Sequence, residues 1–303
     1  MTVPRSIILG TRPSQLARRQ TETVLGWLQA AWPGFAYRVV TLTTEGDQRL
    51  DRPLPEIGGK GVFTADLEAA LRSGAIDLAV HSLKDLPIEP APGLCVGAVS
   101  ARADARDALV SARGEKFAGL PAGARIGTSS LRRQAQLRAA RPDLSVLSIR
   151  GNVDTRLRKA HQGEVDAVVL AAAGIERLEL GSQVSEYLPY EIMLPAPGQG
   201  ALAVQCRDGE PNLLELLAPI HDLPAYRAVT AERAFLAGLG GGCSAPVAAL
   251  AVERGGEIEM RGLVASPDGT RVIRVAGARP DPAALGDLLA RQALGQGAAE
   301  ILS

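Results

Sequence analysis

Gly74-Ala-Ile-Asp77-Leu-Ala-Val80 returns further along the chain as Gly163-Glu-Val-Asp166-Ala-Val-Val169. Each copy is a glycine that stops a helix, followed by a short apolar run of strand character. A pair of related α/β lobes would leave this trace. Any two helix-to-strand junctions also look alike, so the echo alone leaves both readings open. Upstream of the first copy, residues 7–10 read as a strand and residues 14–31 as a helix with Leu16, Val24, Leu25 and Leu28 near one face. Residues 37–42 read as a second strand. A polar, glycine-rich stretch (44–61) follows, and Phe63, Leu67 and Leu71 then mark a helix that ends at Gly74. Residues 76–80 complete the unit.

The second copy has the same surroundings. Arg125-Ile-Gly-Thr128 reads as a strand that turns at Ser129-Ser130 into a helix, residues 145–149 as a strand, and Asn152 as the cap of a helix ended by Gly163. Residues 165–170 are the next strand. This β-α-β order predicts largely parallel sheets covered by helices. Residues 87–97 and 194–200, rich in Pro and Gly, read as crossovers or hinges. Beyond Asp222 the pattern changes to a helix (225–236), glycines at 238–242, strand-like runs at 247–252, 257–264 and 271–275 with a turn at Pro267-Asp-Gly-Thr, and a last helix from about Pro282. That is a small α+β domain with an antiparallel sheet.

Bulk properties set the class. The chain has 303 residues, enough for two or three domains; 46% are hydrophobic and only 3% aromatic, so the core rests on Leu, Val, Ile and Ala. Lys+Arg and Asp+Glu number 33 each, which argues against a nucleic-acid coat or a polybasic membrane anchor. No run approaches a membrane span, and the first residues lack the charged and apolar regions of a signal peptide. Cys95, Cys206 and Cys243 are widely spaced without a CxxC, and His81, His161 and His221 are scattered. Neither a disulfide framework nor a metal site is expected, and the expected compartment is the cytoplasm.

The balanced total hides a skew. Between Arg125 and Lys159 nine basic residues face only Asp143 and Asp154, a local excess of seven, and eight of the nine are arginine. Arginine's planar fork suits carboxylate or phosphate. Arg138, Arg141 and Arg158 read as helix surface. Arg132 and Arg133, in the first turn of a helix after Thr128-Ser129-Ser130, read as part of an anion site, with Arg150 and Arg156 nearby at a strand end and in the next helix. Thr11-Arg12-Pro13-Ser14 has the same form. Lys84-Asp85 follows the strand 76–80, so Asp85 stands among cations, either as an ion-pair partner or as an acid that stabilises a developing cation and moves protons. Gly240-Gly-Gly-Cys243 sets a thiol in open backbone, either a plain loop cysteine or an attachment point.

Taken together, Gly10-Thr-Arg12-Pro-Ser14, Gly58-Gly-Lys60-Gly-Val-Phe63, His81-Ser-Leu-Lys84-Asp85-Leu-Pro87, Gly127-Thr-Ser-Ser-Leu-Arg132-Arg133-Gln134, Arg150-Gly-Asn-Val, Leu194-Pro-Ala-Pro-Gly-Gln199-Gly200, Thr230-Ala-Glu-Arg233 and Gly241-Gly-Cys243 resemble the porphobilinogen deaminase (hydroxymethylbilane synthase) family, in family order. The resemblance implies two doubly wound lobes like those of periplasmic binding proteins, flanking a cleft, and a third domain. Domain 1 would comprise residues 1–99 and 200–220, domain 2 residues 100–199, and domain 3 residues 221–303. It implies a dipyrromethane cofactor held by a thioether to Cys243, and a transferase that joins four porphobilinogen molecules into hydroxymethylbilane with loss of ammonia, in tetrapyrrole biosynthesis. Asp85 is the implied catalytic carboxylate, stabilising the azafulvene cation that ammonia leaves behind. Lys84, Asp85, Thr128, Ser129, Ser130, Arg132 and Arg133 would hold the cofactor. Arg12, Ser14, Arg150, Arg156, Arg177 and Gln199 would hold substrate. Gly58, Gly59, Lys60 and Phe63 belong to an implied flap.

The implied partner is small-molecule porphobilinogen, without nucleic acid or membrane, for a monomer without metal. Departures are small: Gln15 replaces a usual Pro, and Ser244-Ala245 follow the cysteine where Gln and Val are common. A non-catalytic two-lobed anion-binding protein would share the arginines but has no use for Asp85 or Cys243. A nucleic-acid binder would lack aromatics for stacking.

Overall fold

The computed structural model describes residues 6–44, 64–241 and 245–302. In chain order it gives β1 (Ile7–Thr11), α1 (Gln15–Ala31), β2 (Tyr37–Thr41), α2 (Ala65–Arg72), β3 (Leu78–Ser82) and β4 (Leu94–Val99). Next come β5 (Asp107–Ser111), β6 (Arg125–Gly127), α3 (Leu131–Ala140), β7 (Ser145–Leu147), α4 (Val153–His161), β8 (Ala167–Ala171), α5 (Ala172–Arg177) and β9 (Glu186–Tyr187). The chain continues through β10 (Leu202–Arg207), α6 (Pro211–Leu217), α7 (Leu223–Gly238), β11 (Val247–Arg254), β12 (Glu257–Ala265), β13 (Val272–Arg279), α8 (Pro282–Gly295) and α9 (Ala298–Leu302). These elements form two compact units: Met1–Arg102 with Ala201–Tyr226, and Ala103–Gly200 with Arg227–Ser303.

The first unit holds a five-stranded sheet in the order β2-β1-β3-β10-β4. Alternation along β1 feeds two layers. Ile7 and Leu9 join Val24, Leu25 and Leu28 of α1 and Leu213, Leu216 and Leu217 of α6. Ile8 turns the other way, to Leu67 and Leu71 of α2. Ser14 starts α1 by accepting the Ala17 N–H at 3.2 Å. In the second unit the sheet order is β7-β6-β8-β5-β9, again covered on both faces: Ile126, Val169 and Leu137 of α3 form one layer, Val168, Leu170, Leu157 of α4 and Ile175 of α5 the other. The same unit carries the antiparallel sheet β11-β12-β13. Phe235 of α7 packs where Gly262 leaves no side chain, and α8 crosses α7 so closely at Gly286 that a Cβ there would lie 2.4 Å from the Ala231 carbonyl oxygen. The chain is thus an α/β protein of two sheet-and-helix lobes plus a small antiparallel domain.

Three sequence expectations need correction. The lobe sheets are mixed: β1 runs parallel to β2 and β3, whereas β10 is antiparallel to β3 and β4. In the second lobe β6 is parallel to β7 and β8, and β5 antiparallel to β8 and β9. The segment 87–97 is not all crossover, because β4 begins at Leu94; Gly97 disguises the strand. A side chain there would meet Leu217 Cδ1 at 2.7 Å and Cys206 Sγ at 2.9 Å. Third, β3 starts at Leu78 rather than residue 76. Asp77 precedes the ladder and bonds Ile8 twice, its N–H to the Ile8 carbonyl and its carboxylate to the Ile8 N–H.

Candidate active site

In the first lobe the candidate residues follow the carboxyl ends of the parallel strands, where open α/β sheets receive ligands. After β1, Arg12 and Ser14 are half-buried. The Ser14 oxygen caps α1 as an acceptor, which leaves its hydroxyl proton unused by the cap. After β3 a single 3₁₀ turn, Leu83–Asp85, carries Lys84 and Asp85. Leu83 and Leu86 are buried beneath it, and the Leu83 N–H bonds the Ala201 carbonyl at 3.1 Å. The turn is therefore pinned by apolar anchors on either side of an exposed Asp85 and a half-buried Lys84. His81, the last buried residue of β3, is pulled down to about pKa 4 by burial, opposed by a Gln205 hydrogen bond and helped by Arg12. It is neutral near pH 7.

In the second lobe the equivalent loops carry cations. Thr128 ends the β6 turn fully buried; its hydroxyl oxygen accepts the Ser130 N–H and its carbonyl accepts Gln134 Nε2. The Ser129 hydroxyl bonds the Ile149 carbonyl, which fixes this turn to the loop after β7. Arg150 lies in that loop, half-buried, with a buried Nη1 that has no partner among the described residues. Asn152 caps α4 through Thr155 N–H at 3.0 Å, and Arg156 donates from Nε to Gly151 O at 2.8 Å. Gly151 has φ +118°, and a Cβ would strike Thr155. Arg177, at the end of α5, donates to Gly200 O at 2.7 Å and is lowered to about 10 by desolvation.

Arg132 and Arg133 depart from the sequence reading. Instead of standing open at the helix start, both guanidinium groups turn inward onto Asp107, the first residue of β5. Arg132 Nη1 reaches Asp107 Oδ2 at 2.7 Å, and Arg133 Nη2 reaches Oδ1 at 2.7 Å. Arg132 also donates to Leu194 O and Arg133 to Val169 O. All three residues are buried. Burial raises the Asp107 pKa, but the two guanidinium groups override it and hold the carboxyl well below the usual carboxylate range. Gln199 likewise points into protein: it is fully buried and donates from Nε2 to Ala105 O at 2.8 Å and Asp107 Oδ1 at 2.9 Å. The cluster holds two cations against one anion, and Arg132 Nε is a buried donor without a partner among the described residues.

Sequence reasoning missed two acids. Asp107 had a legible signal, an acid directly ahead of the apolar run Ala108-Leu-Val, which must be paired if that run is a buried strand. Glu232 had none beyond its place in a quoted motif. It is fully buried on α7 and accepts the Gly198 and Ala251 N–H groups, both at 2.7 Å, while Ala249 N–H bonds Pro195 O. It thereby fastens the 194–200 segment to β11. Cys243, Gly58, Gly59, Lys60 and Phe63 lie outside the described residues. Among the described residues no group of three or more His, Cys, Asp or Glu could hold a metal, and no helix is long and apolar enough to cross a membrane.

Cationic loops, with Arg132 Nε and Arg150 Nη1 buried and unpartnered among the described residues, define a two-lobed α/β protein whose second lobe carries the chemistry that pairs with carboxylate or phosphate. Comparison narrows this. Residues 7–215 match the family model "Porphobilinogen deaminase, dipyromethane cofactor binding domain" and residues 226–295 match "Porphobilinogen deaminase, C-terminal domain". A porphobilinogen deaminase from Moorella thermoacetica is 51% identical over 298 residues, covering 98% of this chain and 95% of its relative. One from Roseiflexus castenholzii is 50% identical over 299 residues, covering 98% and 99%. The chain belongs to the porphobilinogen deaminase family. Among solved structures, the BenM effector-binding domain with its effector benzoate overlaps with a TM-score of 0.43 at 13% identity, covering 72% of this chain and 91% of that one.

Proposed function

We infer that this chain is a hydroxymethylbilane synthase, a transferase that joins four porphobilinogen molecules head to tail with loss of ammonia, on a covalently held dipyrromethane, in tetrapyrrole biosynthesis. The structural observation that carries the reading is the unbalanced buried charge of the second lobe: two guanidinium groups share Asp107, and Arg132 Nε and Arg150 Nη1 are buried donors without partners among the described residues. Each pyrrole of such a ligand bears two carboxylates. Buried cations in excess suit it, because an unpaired buried charge is costly until an anion meets it. The donor set therefore fits the cofactor. When bound, dipyrromethane supplies the pyrrole end from which the product grows.

The residue roles follow from that fit. Cys243 is the thioether attachment point. Lys84 and the donors of the Thr128-Ser129-Ser130 turn hold cofactor acids, with Arg132 and Arg133 supplying the cationic field behind them. Arg12, Ser14, Arg150, Arg156 and Arg177 hold substrate carboxylates, each charge-assisted bond contributing roughly 1.5–3 kcal/mol. Gln199 contributes through Asp107. Asp85, on its pinned turn, sets a carboxylate where positive charge builds as ammonia leaves, and moves the pyrrole proton. Gly58, Gly59, Lys60 and Phe63 form the flap.

The same reading divides the chain into domains 1–99 with 200–220, 100–199 and 221–303. It makes the protein a cytoplasmic monomer that uses neither nucleic acid nor a membrane. A non-catalytic anion binder would need the arginines but neither Asp85 nor Cys243. Intact mass of the purified chain tests the proposal. The expected result is an added mass of two linked pyrroles, absent after Cys243→Ala. A chain that stays unmodified after incubation with porphobilinogen would refute it.

A further inference from the structure

Away from these residues, Cys95 of β4 and Cys206 of β10 stand directly opposite each other in antiparallel register, with their sulfurs 3.6 Å apart. Opposed residues leave a sheet on the same face, here into the apolar layer under α1 and α6. Gly97 leaves the space that Cys206 Sγ fills. The two thiols differ in access: Cys206 is fully buried, and Cys95 is partly exposed.

We propose that Cys95 and Cys206 form an oxidisable dithiol, a modification site at which a peroxide closes an intrachain disulfide between β4 and β10. Cys95, the accessible sulfur, attacks the peroxide as thiolate. The O–O bond breaks, Cys95 becomes a sulfenic acid, and the other oxygen leaves as hydroxide, which takes up the thiol's proton to give water. The Cys206 sulfur then attacks the Cys95 sulfur. The S–S bond forms, the S–O bond breaks, and the hydroxyl leaves as water with the Cys206 proton. Two thiols and one peroxide give one disulfide and two waters.

Burial, with Cys95 adding to it, pushes the Cys206 thiol up to about 12, which leaves the first attack to Cys95. To reach bonding distance the sulfurs close by about 1.5 Å, a movement that side-chain rotation supplies because the register already sets the residues opposite. The inference does not depend on the proposed activity.

The test uses the full-length holoenzyme. One sample is treated with hydrogen peroxide and another with diamide, which oxidises thiols without a sulfenic acid. Each is then unfolded, alkylated with iodoacetamide, digested and mapped by mass. The expected result is a bridged Cys95–Cys206 peptide pair, an intact mass lower by two hydrogens, reversal by dithiothreitol, and no bridge in Cys95→Ser. Full alkylation of Cys206 after both oxidants would overturn the proposal. So would a bridge from Cys95 only to another chain.

Discussion

The two lobes are built on one plan and equipped differently. Each has a strand (β1, β6) flanked by two parallel neighbours, then an antiparallel strand (β10, β5) that follows a crossover, then an antiparallel edge strand (β4, β9). The repeated junction does the same task in both. Asp77 accepts the Ile8 N–H and gives its own N–H to the Ile8 carbonyl; Asp166 does likewise with Arg125. The glycines that precede them, Gly74 and Gly163, have φ of +74° and +75°. Gly10 and Gly127 each admit a neighbouring isoleucine, Ile76 or Ile149, where a Cβ would clash. The chemistry diverges at the loops. After β3 comes a turn bearing Lys84 and Asp85; after β8 comes a helix ending in Arg177. A duplicated scaffold fixes where the loops emerge, and single residues decide whether a lobe offers an acid or a cationic field.

The largest effect that can break this comparison is at Asp85. Because it is exposed on a turn anchored by Leu83 and Leu86, Asp85→Asn is expected to melt like the wild type while turnover falls on the order of 10³-fold, the scale of losing one charge-stabilising group. Steady-state porphobilinogen consumption beside a thermal melt checks it, and near-normal turnover removes the functional asymmetry of the lobes. In the second lobe the cost of the same Asp→Asn change is structural. Asp107→Asn strands two buried guanidinium groups, so a loss of about 3–5 kcal/mol is expected, read as a drop in Tm on the order of 10 °C. A melt unchanged within 2 °C or so would mean that the arginines are balanced otherwise.

His81 gives the lobes different pH responses, since its counterpart in β8 is Leu170. The folded pKa lies near 4, below the ordinary 6.5. Above pH 6.5 both folded and unfolded chains carry it neutral. Below that the unfolded chain takes the proton first, so stability falls by roughly 3 kcal/mol between pH 6.5 and 4. Urea titrations across that range are expected to show the slope, and His81→Gln to remove it. The smallest contrast lies in the repeated acids themselves. Asp77 is buried with Arg207 at 2.9 Å, whereas the Asp166–Arg125 pair is half-exposed. Asp77→Asn should cost about 2 kcal/mol and Asp166→Asn should be indistinguishable from wild type in the same titration. Equal costs would show that the backbone bridge, not the ion pair, carries both junctions.

Much of this was legible in the chain. The helix stops at Gly74 and Gly163, the helix start at Ser14, the cap at Asn152, and the three strands after Pro246 all follow from local rules. Four features did not. β5, β10 and the start of β4 are short apolar runs without alternation, one interrupted by Gly97, and only tertiary pairing makes them strands. Parallel order could not be told from mixed order, because the antiparallel partner arrives from across a crossover. The direction of Arg132 and Arg133 depended on Asp107, twenty-five and twenty-six residues upstream. The task of Gln199 depended on the same acid.

Glu232 sets a limit on how this architecture could be dismantled. Its carboxylate holds the Gly198 and Ala251 N–H groups at once, and Pro195 adds a bond to Ala249. The small antiparallel domain is therefore no interchangeable cassette. Excised at the sequence boundary near residue 221, it would keep a buried acid that has lost one of its two backbone donors, and the lobe left behind would keep a crossover without its clasp. The part of the chain that carries the cysteine and the part that carries the arginines would have to be inherited together.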